Sequence, residues 1–151
     1  MPRIRFGSRI LGALLLVAVL TLTASSSKKK IITPPGTPVG RPYSAGIQFG
    51  DTLYVSGQIG IDPKTGKVPD KFEDEVHQCL ANIHQVLQAG GMDYADVVSV
   101  QVYLTDMDLF QRLNAVYTQA FSEPRPTRTA VGVLRLAAPG ARLEMTVTAR
   151  R

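Results

Sequence analysis

Arg128, just after Pro126-Thr127, and Glu144, between Leu143 and Met145, are opposite charges set where strands of a sheet would present them. A guanidinium grips a carboxylate through two parallel charge-assisted hydrogen bonds, a geometry lysine does not copy. On spacing alone, however, the pair reads as a surface ion pair of little energetic weight. Other reactive side chains point to less. His77 and His84 are seven apart, whereas two metal ligands on one helix stand four apart, so they read as solvated or rim histidines. Cys79 lies on an apolar stripe and reads as a small core residue; as the lone cysteine it excludes an internal disulfide and a cysteine-rich zinc site. Ser56-Gly57 follows an extended stretch, but the G-x-S-x-G elbow is absent, since Tyr54 and Val55 precede the serine. Glu73, Asp74 and Glu75 crowd the first turn of a helix, where they favour its dipole and need no catalytic role.

The elements that must position these residues follow from periodicity. Ser44 to Phe49 and Thr52 to Gln58 read as a hairpin around Gly50-Asp51, and Asp62-Pro63-Lys64-Thr65-Gly66 as a further turn. Between Asp70 and Ala89, Phe72, Val76, Cys79, Leu80, Ile83, Val86 and Leu87 form one face of a helix ended by Gly90-Gly91. Val97 to Leu104 alternates as a strand, with Val98, Val100, Val102 and Leu104 on one face and Val97, Ser99, Gln101 and Tyr103 on the other. Asp106 caps a second helix carrying Phe110, Leu113, Val116, Tyr117, Ala120 and Phe121, which Pro124 and Pro126 stop. Thr129 to Leu134 and Arg142 to Ala149 are closing strands. Two helices among about five strands predict an α+β sheet with its helices on one face. The other face would carry Tyr103, Gln101, Thr146, Thr148 and Glu144, too apolar in parts for solvent and too polar for a sealed core. A homo-oligomer with pockets at its seams is the simplest arrangement that covers it.

At 151 residues the chain has the size of one domain, with 44% apolar and 19% charged residues. The net charge of +5 would suggest an anionic partner such as nucleic acid, but its distribution argues otherwise. Arg3, Arg5 and Arg9 precede an apolar run from Ile10 to Leu22, which small and polar residues follow to Ser27, so residues 1–27 read as a secretory signal. The run would make a helix of about 20 Å, short of the roughly 30 Å hydrocarbon core, so membrane contact is expected only through this segment if it is left uncleaved. Residues 28–38, with Lys28, Lys29, Lys30 and a proline-rich stretch, read as a flexible linker, and residues 39–151 as the folded domain. Residues 31–151 hold 11 basic and 12 acidic side chains, so the body lacks the charge of a phosphate-tracking surface and no nucleic-acid partner is expected.

Several motifs in order resemble the reactive-intermediate deaminase family, the Rid or YjgF-like proteins. They are Arg41-Pro42-Tyr43-Ser44-Ala45-Gly46, Tyr54-Val55-Ser56-Gly57-Gln58-Ile59, the turn Asp62 to Gly66, Leu113-Asn114-Ala115-Val116-Tyr117 with Phe121, Arg125-Pro126-Thr127-Arg128-Thr129-Ala130-Val131, and Leu143-Glu144-Met145. The resemblance covers about residues 31–151. It implies a chorismate-mutase-like mixed sheet backed by two helices, a homotrimer with clefts between subunits, and hydrolysis of enamines and imines such as 2-aminoacrylate or 2-iminobutyrate to 2-keto acids and ammonia. By residue match, Arg128 would grip the substrate carboxylate, while Glu144 and the carbonyl of Ala130 would hold the attacking water. Tyr43, Ser56, Gly57 and Asn114 would line the pocket, and no metal or organic cofactor is implied. Arg41 stands in place of a glycine and Ala130 in place of a cysteine found in many members. The signal segment implies an exported protein, periplasmic or secreted. A trimer that binds a carboxylated molecule without turning it over is the alternative; a ribonuclease is disfavoured by the near-neutral body and the lack of a histidine acid/base pair.

Overall fold

The computed structural model describes residues 28–151; the expected signal segment, residues 1–27, lies outside the described residues. Among the described residues six strands and two α-helices follow in the order β1 (Lys30–Ile32), β2 (Gly46–Phe49), β3 (Thr52–Ile59), α1 (Phe72–Ala89), β4 (Val97–Leu104), α2 (Phe110–Ala120), β5 (Thr127–Gly132) and β6 (Leu143–Arg150). In space the strands lie β1-β2-β3-β6-β4-β5. All neighbours are antiparallel except β4 and β5, which run parallel because α2 carries the chain back across the sheet between them.

Both helices pack on one sheet face, as the apolar stripes predict. Leu53 and Val55 of β3, Val100, Val102 and Leu104 of β4, and Leu143, Met145, Val147 and Ala149 of β6 meet Val76, Cys79, Ile83 and Leu87 of α1 and Leu113, Val116 and Tyr117 of α2 in one core. Helix α1 ends where Gly91 takes a positive φ of 75°, a conformation glycine adopts without strain. Cys79 is fully buried, its Sγ donating to the carbonyl of Gln58 at 3.1 Å, and burial pushes its thiol pKa up, away from nucleophilic use.

Three local expectations need correction. Lys30–Ile32, expected within a flexible linker, forms an edge strand paired with β2, held by Ile32, which is 2% exposed. Along β4 the register shifts between Val97 and Ser99; this irregularity turns Val97 inward and leaves Val98 47% exposed, reversing the faces expected for those two residues. Asp106 caps a short 3₁₀ turn, Met107–Leu109, that leads into α2, its side chain accepting from the Asp108 amide at 2.9 Å. Removing this cap in Asp106→Ala should cost about 1 kcal/mol, read as a lower midpoint of urea unfolding.

The least expected feature is Glu75. Its carboxylate is fully buried, with Oε1 accepting from the amides of Arg142 at 2.7 Å and Leu143 at 3.1 Å, and Oε2 from Arg142 Nε at 2.6 Å. The same guanidinium donates to the carbonyls of Asp70 at 3.0 Å and Pro69 at 2.8 Å. One helix thereby fixes the start of β6, and with it the position of Glu144.

Candidate active site

Glu144 and Arg128 stand on opposite faces of the sheet. On β5, Arg128 lies level with Val100 of β4, whose side chain is in the core, so Arg128 projects on the helix face. Glu144 lies level with Tyr103 and alternates with buried Leu143 and Met145, so it projects on the far face. The surface ion pair that spacing suggested is therefore not formed within one chain. Neither residue has an ion-pair partner among the described residues.

The remaining candidates divide between these two faces. On the far face, Gly57 lies beneath the Glu144 carboxylate: a Cβ built there would stand 1.9 Å from Glu144 Oε1. This close approach follows a register shift between Val55 and Gln58 of β3. Helix α1 secures the strand just beyond it, since Asn82 Nδ2 donates to the carbonyls of Ile59 at 2.8 Å and Ile61 at 3.0 Å. Ser56 Oγ donates to the carbonyl of Ser44 at 2.7 Å, and the Ser56 amide to that of Ala45 at 3.0 Å, which ties the segment after Tyr43 to β3. Tyr43, Ser44, Ile47, Tyr54, Val55 and Ser56 line an open groove of about 410 Å³. Arg41 stacks its guanidinium 5.7 Å from the Tyr43 ring centre, so the residue that departs from the motif adds charge beside this groove.

On the helix face, Arg128 lies over two rings of α2, 4.5 Å from the Tyr117 centre and 5.3 Å from that of Phe110. Half-buried Asn114 falls between those two residues on the helix, its Nδ2 donating to Gln111 Oε1 at 3.4 Å. Ala130 follows Arg128 by two residues on β5 and shares its face, level with Val102. Because β5 is the outermost strand, this group opens at the sheet edge. Sequence reasoning placed Phe110 and Tyr117 in the core and missed their contact with Arg128; their spacing of seven on one helix was the available signal. The histidines take no part: His77 is exposed, and His84 stacks on Tyr94 with ring centres 4.7 Å apart and meets Asp93 Oδ1 at 3.0 Å. Among the described residues no three His, Cys, Asp or Glu side chains gather as a metal site.

A mixed sheet backed by two helices, with a guanidinium at its edge and a carboxylate on its open face, defines an α+β domain of YjgF-like fold. Solved structures agree. The Escherichia coli YjgF gene product superposes with a TM-score of 0.74 at 32% identity, over 81% of this chain and 98% of that one. Escherichia coli TdcF, solved with bound serine, does so with a TM-score of 0.75 at 34% identity, over 81% and 98%. The family model described as Endoribonuclease L-PSP matches residues 37–151. A RutC family protein of Pyrococcus horikoshii is 47% identical over 100 residues, 66% of this chain and 79% of the relative. The 2-iminobutanoate/2-iminopropanoate deaminase of Bos taurus is 39% identical over 123 residues, 80% and 89% of the two chains. The chain belongs to the RidA/YjgF/L-PSP (RutC) family.

Proposed function

We propose that the protein hydrolyses reactive imines and enamines derived from 2-amino acids to 2-keto acids and ammonia, as a homotrimer whose sites lie at the seams between copies. The observation that carries this reading is the division of the candidate residues into two open half-sites on opposite sheet faces. Each lacks what the other holds, so a neighbouring copy can supply the missing half. Similarity to the bovine deaminase supports the reaction class. In the assembled cleft Arg128 grips the substrate carboxylate, with Asn114 beside it, and Tyr43 and Ser56 shape the opposite wall.

An enamine first takes a proton on carbon to become an iminium, whose carbon is already electrophilic. Water held by Glu144 and the Ala130 carbonyl adds its oxygen to that carbon while the Glu144 carboxylate takes one water proton. The proton returns to the nitrogen, and the C–N bond then breaks with its electron pair going to nitrogen; ammonia leaves as the hydroxyl gives its proton to the Glu144 carboxylate and the carbonyl forms, and that proton passes to solvent, balancing the one taken up on carbon. Every step uses only protein groups and water.

An amino-acid-derived imine source coupled to the purified protein, with keto-acid release followed in time, tests the reading. Arg128→Ala should raise KM about 10- to 50-fold through loss of a charge-assisted carboxylate grip. No acceleration by the parent protein, or an unchanged KM in the variant, would overturn it. Retention of a 2-keto acid without turnover would select the binding-only alternative, whose support is the sparseness of the site. Ribonuclease activity is not adopted, because residues 31–151 are near neutral and the histidines form no acid/base pair: His77 is exposed, and His84 stacks on Tyr94 and meets Asp93. Export through residues 1–27 belongs to the same proposal and rests on the sequence pattern alone.

A further inference from the structure

Arg128 is held by rings, where a guanidinium in a fold more often meets a carboxylate. Phe110 and Tyr117 stand two helical turns apart on α2, and the guanidinium carbon lies 5.3 Å and 4.5 Å from their ring centres. It rests in the notch between them. Tyr117 is 3% exposed and is fixed in turn by Phe121, with ring centres 4.5 Å apart; Phe121 meets Tyr94 edge-on at 5.3 Å. The platform is thus anchored in the core. A ring face attracts the guanidinium by cation–π interaction but leaves the five N–H donors, which lie in the guanidinium plane, free for a ligand. A carboxylate partner would occupy those donors and compete with substrate.

We propose that Tyr117 and Phe110 are positioning residues that hold the Arg128 guanidinium by its faces and aim its N–H edge at the substrate carboxylate. The inference rests on the carboxylate-gripping role given to Arg128 above. It concerns the ring of Tyr117 and not the hydroxyl, which is buried without a hydrogen-bond partner among the described residues. Tyr117→Phe therefore keeps the platform and removes only an unpaired polar group, a change expected to be neutral or mildly stabilising.

The test uses the full chain and two readouts: binding of 2-oxobutanoate, and the proton resonance of Arg128 Nε–H, which neighbouring ring currents shift. Tyr117→Leu and Phe110→Leu should each weaken 2-oxobutanoate binding about tenfold and move the Arg128 resonance, while Tyr117→Phe changes neither. In the imine assay the loss should fall on KM, with kcat held within about twofold, as removal of a ground-state contact requires. Phe110 is only partly buried, so its variant keeps the test open if Tyr117→Leu fails to fold. An unmoved Arg128 resonance in the leucine variants, or a Tyr117→Phe protein as weak as Tyr117→Leu, overturns the inference. Should Arg128→Ala bind 2-oxobutanoate as well as the parent, the carboxylate role itself falls, a result separable from the resonance shift.

Discussion

Gly57→Ala should fold normally and lose about a hundredfold in imine hydrolysis. The added methyl would stand 1.9 Å from Glu144 Oε1 and 2.9 Å from its carboxyl carbon, so one of the two must move. Glu144 gives way at small cost to stability, because its carboxylate is the free end of a flexible side chain and has no ion-pair partner among the described residues. Catalysis does not share that tolerance: displacing a water-orienting group by 1 Å or more can cost about 10²-fold. The thermal midpoint and the initial rate should therefore separate, the first nearly unchanged and the second collapsed. A midpoint that falls together with the rate would show that Gly57 serves packing instead.

The same variant tests where the site lies. If Arg128 of one copy serves Glu144 of its neighbour, refolding an equal mixture of Gly57→Ala and Arg128→Ala chains brings intact halves together in about a quarter of the seams. Activity should then rise toward that fraction of the parent's, although each variant alone is impaired. A mixture no more active than the average of its parts would return the site to a single chain and sink the seam reading.

How much of this was legible beforehand depends on whether a side chain's neighbours lie within its own element. The helical stripes from Phe72 to Leu87 and from Phe110 to Phe121 predicted both helices and their buried faces, since a period near 3.6 needs no knowledge of the partner. Alternation along β6 likewise assigned Glu144 to the face away from Leu143 and Met145. Its relation to Arg128 was not legible, because alternation fixes parity within one strand only. The intervening β4 sets the parity between strands, through Val100 beside Arg128 and Tyr103 beside Glu144. The irregularity near Val98 was hidden for a similar reason, since an extra residue leaves no compositional trace among four valines. Strand β1 escaped because lysines and prolines surround its one buried anchor, Ile32.

Glu75 was the hardest to read, standing among Glu73, Asp74 and Glu75 in the first turn of α1, where a sequence offers no reason to choose between acids. Glu73 meets exposed Arg112 at 2.7 and 2.9 Å, whereas Glu75 is sealed against the start of β6. Burial makes the two carboxylates unequal in consequence. Glu75→Ala should cost about 3–5 kcal/mol, because it strips the acceptor from two amides at the start of β6 and leaves Arg142 without its counter-charge. Arg142 is partly exposed and regains some water, which keeps the cost from rising further. For a domain of this size the thermal midpoint should fall by about 10–20 °C. Glu73→Ala should cost under about 1 kcal/mol, since its partner is solvated. Glu75→Gln retains a carbonyl for the amides while placing a donor toward Arg142, so it should fall between the two. Equal melting points for Glu73→Ala and Glu75→Ala would refute the anchoring role. A midpoint lowered as expected should bring lower imine hydrolysis at temperatures where the chain is still folded, because the residue after Leu143 on the loosened strand is Glu144.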